Sequence, residues 1–260
     1  MSAGTFTPRP GAAPVSRMVA AQTALETRML LRNGEQLLLT VIIPALLLVL
    51  FSSVDIISLP GGESGPQERV DFLAPGVLAL AVMSTAFTGQ AIATGFDRRY
   101  GVLKRLGASP LPRWALMASK TLSVLVTEVL QIALLTAIAF ALGWSPQGNP
   151  LSVAALVLLG TAAFSGLGLL MAGTLKAEVT LAAANLVFLL LLVGGGVIVP
   201  LEKFPDAVRD VLALLPISAL SDGLRDVLQH GAAMPWGDLA VLAVWAVLGL
   251  GAAAKLFRWE

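Results

Sequence analysis

The chain has 260 residues, of which 57% are hydrophobic and 13% are charged, and its formal net charge is +1. This composition supplies more apolar surface than a single water-soluble core can bury, so it predicts an integral membrane protein. The sequence has no Cys and a single His, His230. It therefore excludes disulfides, thiolate chemistry and any metal site or catalytic triad that depends on Cys or on several His residues of this chain. We expect no catalytic residue, no metal ligand and no cofactor bound by this chain.

The N-terminal region precedes the apolar segments. Residues 1–14 are predicted to form a flexible tail. Residues 15–36 place Met18, Leu25 and Met29 at helical spacing, with charged residues on the other faces. This pattern is typical of an amphipathic helix that lies at the inner membrane interface. A solvated helix is the alternative, but the immediate continuation into a long apolar segment favours the interface.

Six apolar segments follow, each long enough to cross a bilayer as a helix. Pro44 lies inside the first segment and predicts a bend, which membrane helices tolerate. Small residues such as Gly166 and Gly168 in the fourth segment allow helix backbones to approach closely. The predicted transmembrane domain covers residues 37–260, and its spans are 37–54, 73–95, 121–142, 151–174, 179–199 and 239–257.

The positively charged residues are distributed unevenly between the connections. If the N-terminus is cytosolic, the outer segments contain only Arg69, Lys203, Arg209 and Arg225, and the remaining Lys and Arg residues face the cytosol. This asymmetry is a strong positive-inside signal, which predicts that both termini are cytosolic. The loop 96–120 between the second and third spans is then cytosolic, and its cations are Arg98, Arg99, Lys104, Arg105, Arg113 and Lys120.

The connection between the fifth and sixth spans covers residues 201–231 and mixes apolar with charged residues. Pro205 at its start and Pro216 in its middle predict two short helices with a break between them. We expect this pair to rest on the outer leaflet or to enter it.

Two motifs give these segments a family resemblance. The first is YGVLKRLGASPLPRW, from Tyr100 to Trp114, and the second is GGGVIVPLEKFPDAVRDVLALLPISALSDGLRDVL, from Gly194 to Leu228. Together with the order of the elements, they resemble the permease subunit of an ABC transporter of the ABC-2 type, the fold of bacterial drug, lipid and polysaccharide exporters. In the second motif the matching positions are Pro200, Leu201, Pro205, Leu215, Pro216 and Asp222 to Arg225.

The resemblance implies an all-α polytopic membrane protein with the ABC-2, type V exporter-like permease fold. The implied fold has six transmembrane helices, an N-terminal amphipathic interfacial helix and a short helical pair between spans five and six. The implied function is export, including multidrug efflux, of a drug-like, lipid or glycan compound across the bacterial inner (cytoplasmic) membrane. The implied partners are a separate ABC ATPase subunit, a second permease copy (a homodimer, or a heterodimer with a paralogue) and membrane lipids, without nucleic acid. The ATPase subunit would bind ATP and Mg, since this chain has no G-x-x-x-x-G-K-[ST] motif.

The cytosolic loop 96–120 is the predicted coupling element, which would enter a cleft of the ATPase. A short helix with Leu103 and Leu106 on one side and Lys104 and Arg105 on the other suits such a cleft. The alternative is a basic loop that only fixes the topology and binds anionic lipid. One departure from the family pattern is that its acidic residue is displaced, to Asp97. The resemblance implies the following coupling residues: Asp97, Arg98, Arg99, Tyr100, Gly101, Leu103, Lys104, Arg105, Leu106, Ser109 and Pro110.

Three polar residues inside the spans are candidates for the translocation path. Glu128 is costly in lipid, Gln131 lies three residues further on the same helix face, and Asn185 lies in the fifth span. These residues would line the path, with Glu128 binding a cationic substrate, or they would form hydrogen bonds between helices. Both interpretations stay open. An ion- or proton-coupled secondary transporter is the alternative function, although the sequence shows no internal repeat.

Overall fold

The computed structural model describes residues 13–34, 38–53, 65–197 and 205–258, and all regular elements within those ranges are helical. An 18-residue helix at the N-terminal side is followed by a π-helical stretch, Leu38–Ile42, that leads into a second helix. The helices are α1 (Val15–Arg32), α2 (Ile43–Ser53), α3 (Pro66–Met83), α4 (Gln90–Arg99), α5 (Val102–Gly107), α6 (Arg113–Ala141), α7 (Pro150–Thr174), α8 (Ala177–Gly194), α9 (Asp206–Leu212), α10 (Pro216–Leu228) and α11 (Trp236–Leu256).

Five helical stretches in the described residues are long and apolar enough to cross a membrane. They are Gln67–Arg99, Arg113–Ala141, Pro150–Thr174, Ala177–Gly194 and Trp236–Leu256, and they correspond to five of the six predicted spans. The predicted first span, 37–54, is represented by a shorter apolar helix, Thr40–Ser52. Residues 37 and 54, the two ends of the predicted span, lie outside the described residues.

The centre of the helical bundle is the continuous stretch formed by α3 and α4. A π-helical segment, Ser84–Gly89, joins the two helices without a break. Ala79, Val82 and Met83 are completely buried, because α2, α6, α7 and α10 pack around this stretch. The segment that the sequence presents as a simple second span is therefore the core of the bundle.

Small residues bring the backbones of α7 and α11 together. A Cβ atom added to Gly166 of α7 would lie 2.5 Å from the backbone nitrogen of Leu250 in α11. A Cβ atom on Gly168 would lie 2.9 Å from the carbonyl oxygen of Phe87 in the π-helical segment. These distances are too short for any side chain, so the prediction that glycines of the fourth span permit close helix packing is confirmed.

Two short helices, α9 and α10, occupy the region between α8 and α11. Pro205 precedes α9, and Pro216 opens α10 at a position where its missing N–H costs no helical hydrogen bond. Nearly all of α10 is buried against α3, α7 and α11. Arg225 fixes it there: Nη2 donates to the carbonyl of Val197 over 2.8 Å, and the guanidinium lies 4.1 Å from the centre of the Phe72 ring.

The connections collect at two opposite ends of the bundle. At one end, the backbone N–H of Arg258 donates to the carbonyl of Gly173, close to the end of α4. At the other end, the N–H of Gln147 donates to the carbonyl of Leu228, and the N–H of Ser145 donates to Asp71. The first end contains the cations of the loop 96–120, so the arrangement agrees with the charge asymmetry in the sequence.

Candidate functional site

The segment between α4 and α6 is a short helix bounded by two chain reversals. Gly101 has φ of +70°, a left-handed conformation that side chains other than Gly strain to adopt, and it lets α5 turn away from α4. After α5, the Ser109 hydroxyl donates to the carbonyl of Leu106 over 2.5 Å and accepts from the N–H of Leu111. Pro110 and Pro112 then prevent the helix from continuing until α6 begins at Arg113.

The side chains of α5 divide into an inner and an outer set. Leu103 is completely buried within the chain, whereas Leu106 is only half-buried. Lys104 and Arg105 are exposed. Leu103 therefore seats α5 on the bundle, and Val102 and Leu106 are the apolar side chains of α5 that a partner could still reach.

Two aromatic side chains extend the exposed surface of this segment. Tyr100 is 63% exposed and Trp114 is 65% exposed, although both rings are large and largely apolar. Exposed aromatic residues beside cationic ones are typical of the contact regions between proteins. We call these two aromatic residues, the exposed Lys104 and Arg105 and the half-buried Leu106 the α5 surface.

Arg98 and Arg99 connect this segment to the neighbouring helices. The Arg98 guanidinium donates to the carbonyls of Gly173, over 2.5 Å, and of Leu175, which lie at the C-terminal end of α7. Such carbonyls lack helical partners and attract a cation. Arg99 forms an ion pair with Glu178 in the first turn of α8. Both of these predicted coupling residues thus make contacts inside the chain.

Asp97 belongs to a group of three charged residues that joins α1, α4 and α6. The Lys120 ammonium lies 2.7 Å from Asp97 Oδ2 and 3.1 Å from Glu26 Oε1. The Lys120 side chain is 4% exposed, and the two carboxylates are 24% and 15% exposed. A buried ammonium requires such partners, because removing a charge from water is costly unless it is paired. We call Glu26, Asp97 and Lys120 the charged triad.

Sequence reasoning did not find the charged triad. The sequence places Lys120 among the cations of the loop 96–120 and does not single out Glu26 within the predicted amphipathic helix. The available signal was the position of Lys120 itself, at the start of a predicted span, where a cation needs an acidic partner.

A cavity of about 630 Å³ opens between the end of α1, the π-helical stretch before α2, α4 and α8. Its lining is mostly apolar, with Ile92 and Leu181 among the aliphatic side chains. The candidate path residue Asn185 of α8 lies in this lining, and so do two candidate coupling residues, Asp97 and Tyr100. The structure therefore brings one candidate path residue and two candidate coupling residues to a single cavity.

Glu128 and Gln131 lie elsewhere, in contacts between helices. Glu128 is completely buried, and its Oε2 accepts a hydrogen bond of 2.5 Å from the Thr161 hydroxyl of α7. Gln131 accepts from Thr85 over 2.8 Å and donates to the carbonyl of Thr40. Neither residue is part of the cavity lining. These are the contacts that the helix-packing interpretation expects, and a role in the path stays a prediction.

Comparison with known proteins places the chain in one family. Residues 19–228 match the family model described as ABC-2 type transporter. The chain is 24% identical over 230 residues to the transport permease YvfS of Bacillus subtilis (strain 168), a match that covers 87% of this chain and 91% of that protein. It is 28% identical over 191 residues to the linearmycin resistance permease protein LnrN of the same organism, which covers 71% of this chain and 49% of that protein. The family match spans most of the chain and confirms the resemblance inferred from the two motifs, so this protein is a membrane permease of the ABC-2 type transporter family.

Proposed function

We propose that this chain is the transmembrane subunit of an ATP-driven exporter, which couples to a separate ATPase subunit through the loop 96–120. The observation that carries the proposal is the α5 surface, a set of aromatic, cationic and apolar side chains on and beside a short helix that Leu103 holds against the bundle. ATP and Mg would be bound by the ATPase subunit, so this chain is a transport subunit and not itself an enzyme.

The seating of α5 explains how a movement of the ATPase would reach the membrane helices. Leu103 is buried against the bundle, and Arg98 and Arg99 connect the same segment to the ends of α7 and α8. Packed protein transmits displacement because its interior has few voids to absorb it. A displacement of α5 would therefore move α4, α7 and α8, and two of these helices line the cavity.

The cavity suggests where the substrate path runs. One side of α8 exposes large apolar side chains to the surroundings of this single chain, among them Leu186, Leu189, Leu190 and Val193. A second permease copy on this side, identical or a paralogue, would enclose the cavity and complete the path. The cavity opens near the end that holds the loop 96–120, so substrate would enter from the cytosolic side. We propose export of a drug-like, lipid or glycan compound, and the name of the resistance permease LnrN supports the first of these.

The finer topology belongs to the same proposal. We place the first of six spans at 37–54, as in the type V exporter-like permease fold, and both termini in the cytosol of a bacterial cell with the chain in its inner membrane. The amphipathic α1 would lie at the inner interface, in contact with lipid. Its sequence order, directly before the first span, supports this position.

The test is association with the cognate ATPase subunit, measured by co-purification and by stimulation of ATP hydrolysis in membranes. Leu106→Asp should reduce both by about thirtyfold, since a contact that dominates the centre of an interface contributes about 2 kcal/mol. Replacement of residues 101–109 by a Gly/Ser linker should have the same effect.

The matched control is Leu256→Asp, the same substitution at a 57% exposed position near the C-terminal end of α11. It should leave association unchanged. Normal export and normal ATPase stimulation by the Leu106→Asp variant would contradict the coupling role and would show that the loop only fixes the topology.

A further inference from the structure

The cavity between α1, α4 and α8 combines aromatic rings with one acidic group. Phe96, Tyr100 and Phe188 lie in its lining, and Asp97 is the single charged side chain there among the described residues. The rings of Phe96 and Tyr100 stack with their centres 6.0 Å apart. The face of an aromatic ring is electron-rich and attracts cations, and a nearby carboxylate adds a direct charge contact.

The charge of Asp97 is only partly neutralised by its neighbours. Lys120 is shared between two carboxylates, Asp97 at 2.7 Å and Glu26 at 3.1 Å, so the charged triad has a net charge of about −1 when all three groups are ionised. The nearby guanidinium of Arg98 is committed to carbonyls of α7, and Arg99 is paired with Glu178. The cavity lining at this end therefore offers a carboxylate whose own ion-pair partner is shared with Glu26.

The arrangement also allows Asp97 to change partners at low cost. If Asp97 turns towards a ligand, the buried ammonium of Lys120 keeps Glu26 as a partner and is not left uncompensated. The Asp97 side chain is 24% exposed, more than either other member of the charged triad, and it belongs to the cavity wall. It is thus placed to exchange Lys120 for a cation in the cavity.

We propose that the cavity binds an organic cation, an amine or quaternary ammonium group on an apolar body, with the Asp97 carboxylate as its charged ligand. The aromatic rings contact the cationic group, and aliphatic side chains such as Ile92 and Leu181 contact the apolar body. This inference rests on the proposed transport function and names the substrate class of that site.

Binding to the purified full-length chain in nonionic detergent tests the proposal without any ATPase. Tetraphenylphosphonium and tetraphenylborate have nearly the same shape and opposite charge, so equilibrium dialysis of both, with protein-free micelles as the blank, isolates the effect of charge. The wild-type chain should bind the cation at least about tenfold more tightly than the anion, because the Asp97 carboxylate attracts the cation and repels the anion. Equal affinity for the two probes would overturn the proposal.

Variants assign the effect to Asp97. Asp97→Asn should weaken binding of the cation about tenfold and leave binding of the anion no weaker. Glu26→Gln should also weaken binding of the cation, because Lys120 then neutralises Asp97 alone. Asp226→Asn removes the same charge from an exposed site at the other end of the bundle and is the control. A folded Asp97→Asn variant with wild-type affinity for the cation would refute the assignment.

A gain-of-function variant keeps the test decisive if Asp97→Asn fails to fold. Asn185→Asp adds a second carboxylate to the cavity lining and should increase affinity for tetraphenylphosphonium several-fold. An unchanged or lower affinity in the folded variant counts against the proposal. None of these measurements depends on ATPase association, so a failure of the proposed function would show separately, in the co-purification assay.

Discussion

Replacement of Lys120 by Met tests the energetics of the charged triad. The substitution keeps the length of the side chain but removes the ammonium from between two carboxylates that are 24% and 15% exposed. Removing one partner of a buried ion pair costs about 3–5 kcal/mol, because the remaining charge stays buried without compensation. Here two carboxylates lose the same partner, so we expect a cost near the upper part of that range, in spite of their partial exposure.

The cost should depend on charge and not on the shape of the site. The triple variant Glu26→Gln, Asp97→Asn, Lys120→Met has no charge in this group, and neutral replacement of a whole buried ion pair is often tolerated. It should therefore recover most of the stability that Lys120→Met loses. Glu26→Gln alone should cost less than Lys120→Met, since Lys120 keeps Asp97 as a partner at 2.7 Å.

Thermal unfolding of the purified chain in one detergent gives the order of stability. We expect wild type above Glu26→Gln, and Glu26→Gln above Lys120→Met, with the triple variant close to wild type. Limited proteolysis near α1 gives a second readout, because the charged triad is one of the contacts that hold α1 against α6. A Lys120→Met variant as stable as wild type, or a triple variant less stable than Lys120→Met, would refute this reasoning.

Two further predictions concern topology and the path. Because the chain has no Cys, a single introduced Cys can be labelled without background. A Cys in place of His230 should react with an impermeant maleimide in intact cells, and a Cys in place of Lys104 should react only after permeabilisation. Labelling at position 104 in intact cells would show that the predicted orientation is inverted. Glu128 lies outside the cavity, and Glu128→Gln keeps a hydrogen-bond acceptor for Thr161, so transport and melting temperature should stay near wild type. Asn185 lies in the cavity lining, so Asn185→Leu should reduce transport. A Glu128→Gln variant that melts normally but transports poorly would place Glu128 in the path.

Hydrophobicity and local chemistry were enough to predict most of the helices. Pro205 and Pro216 precede or open helices because proline fits the first turn, and this depends on the local backbone alone. The sequence also predicted that Gly166 packs closely against another helix, because small residues in membrane helices allow backbones to approach. That Leu250 of α11 is the neighbour could not be predicted from a helix read by itself.

The cavity and the charged triad were beyond sequence reasoning because they depend on how distant segments meet. Glu26 lies 94 residues before Lys120, and Asp97 lies 23 residues before it. Spacing shows that Glu128 and Gln131 share a helix face, but it does not show whether that face meets a cavity or a neighbouring helix. Asn185, the weaker candidate by chemistry, lines the cavity because α8 turns that side towards α4.

The π-helical segment Ser84–Gly89 gives the central stretch of the bundle two mechanically distinct halves. A π-helical turn holds more residues than an α-helical turn, so it changes the rotation between the side chains before it and those after it. One half, α3, meets the Arg225 side chain through Phe72, and the other half, α4, continues into the α5 surface. A wide turn of this kind can tighten or shift by one residue while the hydrogen bonds on both sides stay intact. A displacement of α5 would therefore twist the part of the cavity wall that α4 forms, while the far end of the same stretch, held at Phe72, stays in place.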